Sequence, residues 1–146
     1  MANTKSRPPS TGAVRILHAV HSLTSGGAER QLQLLCRAWD DPVIENAIFC
    51  VNPAGNQVPS SKARVFVAAR PDPCSIAYVR SLHGVIRAYD PHVIHAWLPA
   101  SVTIPAMALG ALTGRRVVFS YRSRMRFHRP LSYPEFLAAL ACADRI

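Results

Sequence analysis

VRILHAVHSLTSGGAERQLQLLCRAW, residues 14–39, has the pattern of a strand, a glycine loop and a helix. Its first part, 14–20, is a nearly continuous apolar run, the pattern of a strand covered on both faces. A short loop ends in Gly26-Gly27, and a helix is predicted at once over 28–39, with Ala28, Leu32, Leu35, Cys36 and Trp39 on one stripe. Bare backbone at a helix start can approach a phosphate or a sugar ring closely. The N–H groups there and the positive end of the helix dipole favour anionic or hydroxyl-rich ligands. The spacing fits neither G-x-G-x-x-G nor G-x-x-x-x-G-K-[ST], which argues against a dinucleotide fingerprint and a P-loop. Gly26 and Gly27 are thus either a ligand edge or simply a tight strand-to-helix turn.

Outward from this unit, strands and helices alternate. Further strands are predicted at 46–51, 64–69, 92–97 and 116–121, and helices at 75–89, 100–112 and 133–142. Ile76, Val79, Leu82, Ile86 and Tyr89 repeat at helical steps, and Asp90-Pro91 stops that segment. Pro105 must kink the third helix or begin its regular part. Ser132 and Glu135 fit a capping box at the start of the last helix. Residues 143–146 look like the opening of a sixth strand, left without a covering helix. The alternation predicts an α/β fold, an open parallel sheet with helices on both faces, truncated at the sixth strand. Such sheets bind ligands beyond the carboxyl ends of their strands, near the switch in strand order. The loops at 22–27, 97–101 and 122–129 are therefore the candidates.

At 146 residues the chain is about one domain long, enough to bury a core without disulfides or metals. Its 49% hydrophobic and 17% charged content argues against disorder. No window approaches the ~18 uncharged apolar residues of a membrane span. Residues 1–13 are polar and proline-bearing and read as a disordered tail. The apolar run after them carries Arg15 and His18, which makes a poor signal peptide. Cysteines at 36, 50, 74 and 142 lack C-x-x-C spacing. Buried free thiols in a reducing compartment are favoured over disulfides or a metal site, and with the missing signal they point to the cytoplasm. Net charge is +9, and seven of the seventeen basic residues lie between positions 115 and 145. That cluster suits a phosphorylated substrate, anionic lipid headgroups or nucleic acid, unless it is only a solvated loop.

Four segments then carry a resemblance: SGGAERQLQLL after the first strand, RAYDPHVIHAWLPAS, RRVVFSYRSR and ACADRI, in that order and spacing. Over about residues 14–146 the chain resembles the N-terminal half of a glycosyltransferase of family 4, with the GT-B fold. The resemblance implies a Rossmann-like, acceptor-side domain of a retaining transferase. Such an enzyme moves a sugar from a nucleotide-sugar donor to a lipid-linked or cell-envelope glycan, as in polysaccharide biosynthesis, without metal or other cofactor. It also implies a C-terminal lobe with paired glutamates and a basic pair for the donor diphosphate. None of that lobe is in the sequence. The expectation is a fragment, inactive alone, whose partner is the missing C-terminal domain or a separate donor subunit.

The same resemblance assigns residues. Gly26 and Gly27 match the family's glycine loop, with backbone donation to the transferred sugar and the leaving diphosphate, where negative charge grows. Trp97 stands where many relatives place a histidine, as in a similar polysaccharide-assembly subgroup, and could stack on a sugar face. His95 shares the strand face of Trp97 and could act at an acceptor hydroxyl, or be a satisfied core histidine. Arg122 matches an arginine of that subgroup, and its planar fork suits phosphate or carboxylate. Arg124 and His21 are weaker candidates, and Phe127 among the arginines could dip into lipid at the inner face of the membrane. Glu29 reads as a cap or surface partner in the first helical turn. The rival reading is a non-catalytic basic module docking on a donor domain, a membrane or nucleic acid. Nucleic acid is disfavoured because no aromatic stacking platforms interleave with the basic residues.

Overall fold

The computed structural model describes residues 12–24, 26–39, 41–53, 63–68, 75–97 and 100–120, with backbone alone at 100 and 101. They form β1 (Val14–Ser22), α1 (Gly27–Ala38), β2 (Ile44–Asn52), β3 (Arg64–Val67), α2 (Ile76–Tyr89), β4 (Val93–Trp97), α3 (Ala100–Leu112) and β5 (Arg116–Ser120). All strand pairings are parallel, and the order across the sheet is β3-β2-β1-β4-β5. The expected α/β sheet is present. The expected sixth strand, the last helix, the basic loop, Arg122, Arg124, Cys74 and Cys142 lie outside the described residues, as do residues 1–11 of the expected tail. Ala13, placed in that tail by the sequence, is buried against the base of the sheet.

Strand alternation splits the interior into two cores. Leu17, Ala19, Ala47, Phe49, Ile94, Ala96, Val117 and Phe119 point to one face and are covered by α2 and α3 through Tyr78, Leu82, Ile86, Val102, Ala106 and Met107. Val20, Ile48, Cys50 and Trp97 point to the other, where Leu32 and Cys36 of α1 meet them. Helices therefore cover both faces, and the strands read as unbroken apolar runs for that reason. Cys36 and Cys50 are free, buried thiols. Burial pushes Cys36 up to about 12 and Cys50 up to about 11, which keeps both uncharged and unreactive.

Element ends follow local chemistry. Ser75 caps α2 by accepting the Tyr78 N–H at 3.2 Å. At its other end Asp90 sits in the left-handed region, φ 53 and ψ 58, and its N–H still reaches the Ile86 carbonyl. The Asp90 carboxylate takes Arg15 Nη2 and Arg115 Nη2, each at 2.6 Å, and its carbonyl accepts Arg15 Nε at 2.7 Å. One residue thus clasps the α2 terminus to β1 and to the approach to β5. Pro105 does not begin the regular part of α3; the helix runs through it from Ala100 to Leu112, at the loss of the bond its nitrogen cannot donate to the carbonyl four residues back. Gly114, φ +67, closes the turn into β5.

Candidate functional site

The chain leaves β1 toward β2 and leaves β4 toward β5, so the connections diverge between the two adjacent central strands. That divergence opens the sheet's carboxyl edge between β1 and β4. Two of the sequence candidates, Gly26 and Gly27, stand at the β1 side of this edge, and Trp97 ends the β4 side.

Gly26 is the N-cap of α1, extended at φ −124 and ψ 169, with its carbonyl accepting the Arg30 N–H at 3.0 Å. Glu29, at the third helical position, folds back over it, and a Cβ on Gly26 would overlap the Glu29 carboxylate. Ser22 Oγ donates to Glu29 Oε1 at 3.2 Å, which leaves the Thr24 hydroxyl to donate to Ser22 Oγ at 3.0 Å. Glu29 therefore holds its carboxylate at the positive end of the helix, tied there by Ser22. A side chain at position 26 would require that carboxylate to move. Gly27 differs: among the described residues a Cβ there would meet nothing within 4 Å, and the residue is exposed. None of the described residues requires glycine at position 27.

His95 and Trp97 do share a strand face, with ring centroids 4.5 Å apart and planes tilted by 33°. The face is the α1 side, and both rings are enclosed: Trp97 is 1% exposed and packs in the α1-side core, and His95 is buried. His95 Nε2 lies 2.7 Å from Ser120 Oγ on β5. Trp97 Nε1 donates to His18 Nδ1 at 3.4 Å, and His18 Nε2 faces Asn46 Oδ1 at 3.2 Å. Asn46 Nδ2 in turn donates to the Trp39 carbonyl at the C-cap of α1, at 3.2 Å. His18 is wholly buried, and burial lowers its pKa from the usual 6.5 to about 4 against the opposing Asn46 hydrogen bond. Thr103 Oγ1 donates to the Trp97 carbonyl at 3.2 Å and ties α3 to the end of β4.

His21 lies on the opposite sheet face from His18 and Ser22. It is half-buried, with Nδ1 enclosed and without a hydrogen-bond partner among the described residues. The structure thus brings Gly26, Gly27, His21, His95 and Trp97 to the carboxyl half of two neighbouring strands. Ser22, Glu29 and Ser120 join them, while His18 stands at mid-strand and Asn46 near the amino end of β2, opposite Ile16; none of the five was singled out as a site residue from sequence. Only Glu29 had a readable signal, its place three residues after the cap. Among the described residues no three His, Cys, Asp or Glu side chains gather as metal ligands do.

A family model, Glycosyltransferase Family 4, matches residues 25–146. The chain belongs to glycosyltransferase family 4. The match begins at the glycine corner and spans α1 and every later strand. It supports a glycosyltransferase-like function and sugar-containing substrates in general. No curated protein matches the chain. Among the described residues no helix is long and apolar enough to cross a membrane.

Proposed function

We propose that this family 4 chain is the acceptor-side lobe of a retaining glycosyltransferase that transfers a sugar from a nucleotide-sugar to a cell-envelope glycan or lipid-linked acceptor, without a metal. The observation that carries the reading is Gly27. It is exposed at the first turn of a helix, beside the switch between β1 and β4, and its missing side chain serves no contact within the described residues. A ligand pressed against that backbone gives the glycine its purpose. Glu29 refines the chemistry. A diphosphate arriving here would meet a carboxylate already seated at the helix terminus. A neutral sugar hydroxyl would find an acceptor in Glu29 and donors in the first N–H groups of α1. The sugar ring therefore belongs at this edge, and the diphosphate belongs to an opposing lobe that holds the nucleotide.

His95 is the candidate for contact with an acceptor hydroxyl, held by Ser120, while Trp97 sets the wall behind it. Arg122 and Arg124 are the proposed partners for acceptor phosphate. A peripheral position on the cytoplasmic membrane face is favoured by the outer surface of α2 and α3. Ile104, Ala108, Ala111 and Leu112 are exposed there, Leu112 at 83%, alongside exposed Arg80 and Arg87, and neither helix contains an acidic residue. Each such arginine near an anionic leaflet contributes roughly 1 kcal/mol.

The test pairs the chain, by co-expression, with a family 4 donor lobe shown to bind a nucleotide-sugar. Transfer of labelled sugar to a membrane extract is then measured. Transfer that requires both lobes and is lost in Gly27→Val supports the reading. No transfer from a pair that assembles and holds the donor counts against it.

A further inference from the structure

The side-chain chain beneath α1 has a direction fixed by chemistry. An indole N–H only donates, so Trp97 Nε1 makes His18 Nδ1 an acceptor. His18 is then neutral with its proton on Nε2, and that proton goes to Asn46 Oδ1. Asn46 consequently presents its amide nitrogen to the Trp39 carbonyl, a C-terminal carbonyl of α1 left without a helical partner. Every group has one role, and each role is compatible with the next.

The participants come from four elements that the sequence keeps far apart. His18 and His95 are direct partners in the β1–β4 register, Asn46 sits on β2 and Trp39 caps α1. The rings form one packed set, with centroids 5.2 Å apart for His18 and His95 and 4.5 Å for His95 and Trp97. Trp97 is the last residue of β4 at the edge assigned above to substrate.

We propose that His18 is a positioning residue: by accepting the Trp97 indole proton while Asn46 fixes its tautomer, it locks the Trp97 ring and the His95 imidazole stacked on it at the carboxyl end of β4. The mechanistic meaning rests on the acceptor-side reading, but the lock itself does not. Trp97 is enclosed in the core, so its ring serves as the fixed backing for His95 at that edge and not as a face for sugar. Packing in the α1-side core restrains rotation of the Trp97 ring, and the hydrogen bond to His18 favours one of its two flipped orientations. A buried histidine suits the task because it links a donor on one side to an acceptor on the other without carrying charge.

The test uses the 146-residue chain labelled with nitrogen-15. The two indole resonances, of Trp39 and Trp97, are assigned with Trp97→Phe. Long-range nitrogen–proton couplings report the His18 tautomer without any substitution. The expected result is the neutral Nε2–H form at pH 7; an Nδ1–H form overturns the proposal. Exchange of the Trp97 indole proton is then compared with that of the Ala96 backbone amide. In His18→Phe, which keeps an aromatic ring but no acceptor, indole exchange should accelerate about tenfold relative to that amide. In His18→Gln, whose carbonyl can accept, most of the protection should return. Unchanged indole exchange in a folded His18→Phe, or equal loss in both variants, refutes the lock. Because no readout involves sugar transfer, failure here and failure of the glycosyltransferase reading are separate outcomes.

Discussion

Lowering the pH should destabilise this chain through His18 by an amount the structure sets. His18 is wholly buried and neutral, and its pKa falls from the usual 6.5 to about 4 because burial disfavours the imidazolium. Between those two values the unfolded chain takes up a proton that the native chain refuses. Unfolding is therefore favoured progressively as pH falls from 6.5 toward 4, and the contribution levels off below about 4. At about 1.4 kcal/mol per pH unit, the interval corresponds to roughly 3 kcal/mol. That is a large share of the 5–15 kcal/mol typical of a domain, so it should be visible as a shift in denaturant midpoint. Other groups titrate in the same range, so the assay compares urea unfolding of wild type and His18→Gln at pH 7, 6, 5 and 4. The difference between the two chains isolates the histidine. The variant keeps a carbonyl that can accept the Trp97 indole proton, and its stability should fall with acid by about 3 kcal/mol less than that of wild type. Parallel pH profiles for the two chains would refute the claim that His18 is held neutral in the interior.

Three further outcomes follow from the geometry. Gly26→Ala should cost about 1 kcal/mol by displacing the Glu29 carboxylate, and the cost should largely vanish in a Glu29→Ala background, a coupling that thermal unfolding of the four chains would measure. Gly27→Ala should leave stability unchanged or raise it by up to about 1 kcal/mol, while weakening sugar binding, because the added methyl meets no atom of the described residues within 4 Å. Asp90→Ala should destabilise by about 1–2 kcal/mol through loss of both arginine partners, with Asp90→Asn recovering part of it; salt should narrow the difference, since the carboxylate is half-exposed.

The fold was readable because its signals are local and repeated. Apolar runs at 14–20 and 92–97, helical steps from Ile76 to Tyr89, and breaks such as Asp90-Pro91 each report on a few neighbouring residues. The errors sit at element ends. β1 continues through His21 and Ser22, and β2 begins at Ile44, because parallel pairing from Val14↔Ile44 to Ser22↔Asn52 extends beyond the apolar positions. Asp90 was legible as a stop, but not as a clasp, since its arginines lie 75 and 25 residues away. Alternation correctly put His95 and Trp97 on one face. It carried no information about which face, and the side that receives α1 is the interior. His18, Asn46 and Ser120 escaped notice for the same reason: a hydrogen bond between β1 and β2, or between β4 and β5, depends on register, which no single segment encodes.

The central claim is that ligand meets this lobe at the carboxyl edge between β1 and β4, against the bare backbone of Gly27. Chemical-shift mapping of the nitrogen-15-labelled chain, titrated with a panel of monosaccharides, short glycans and nucleotide-sugars, tests it most directly. The account expects perturbations centred on Ser22, Gly26–Ala28 and His95–Trp97, reduced in Gly27→Val. Perturbations confined to the opposite end of the sheet, around Arg15, Asp90 and Arg115, would contradict it.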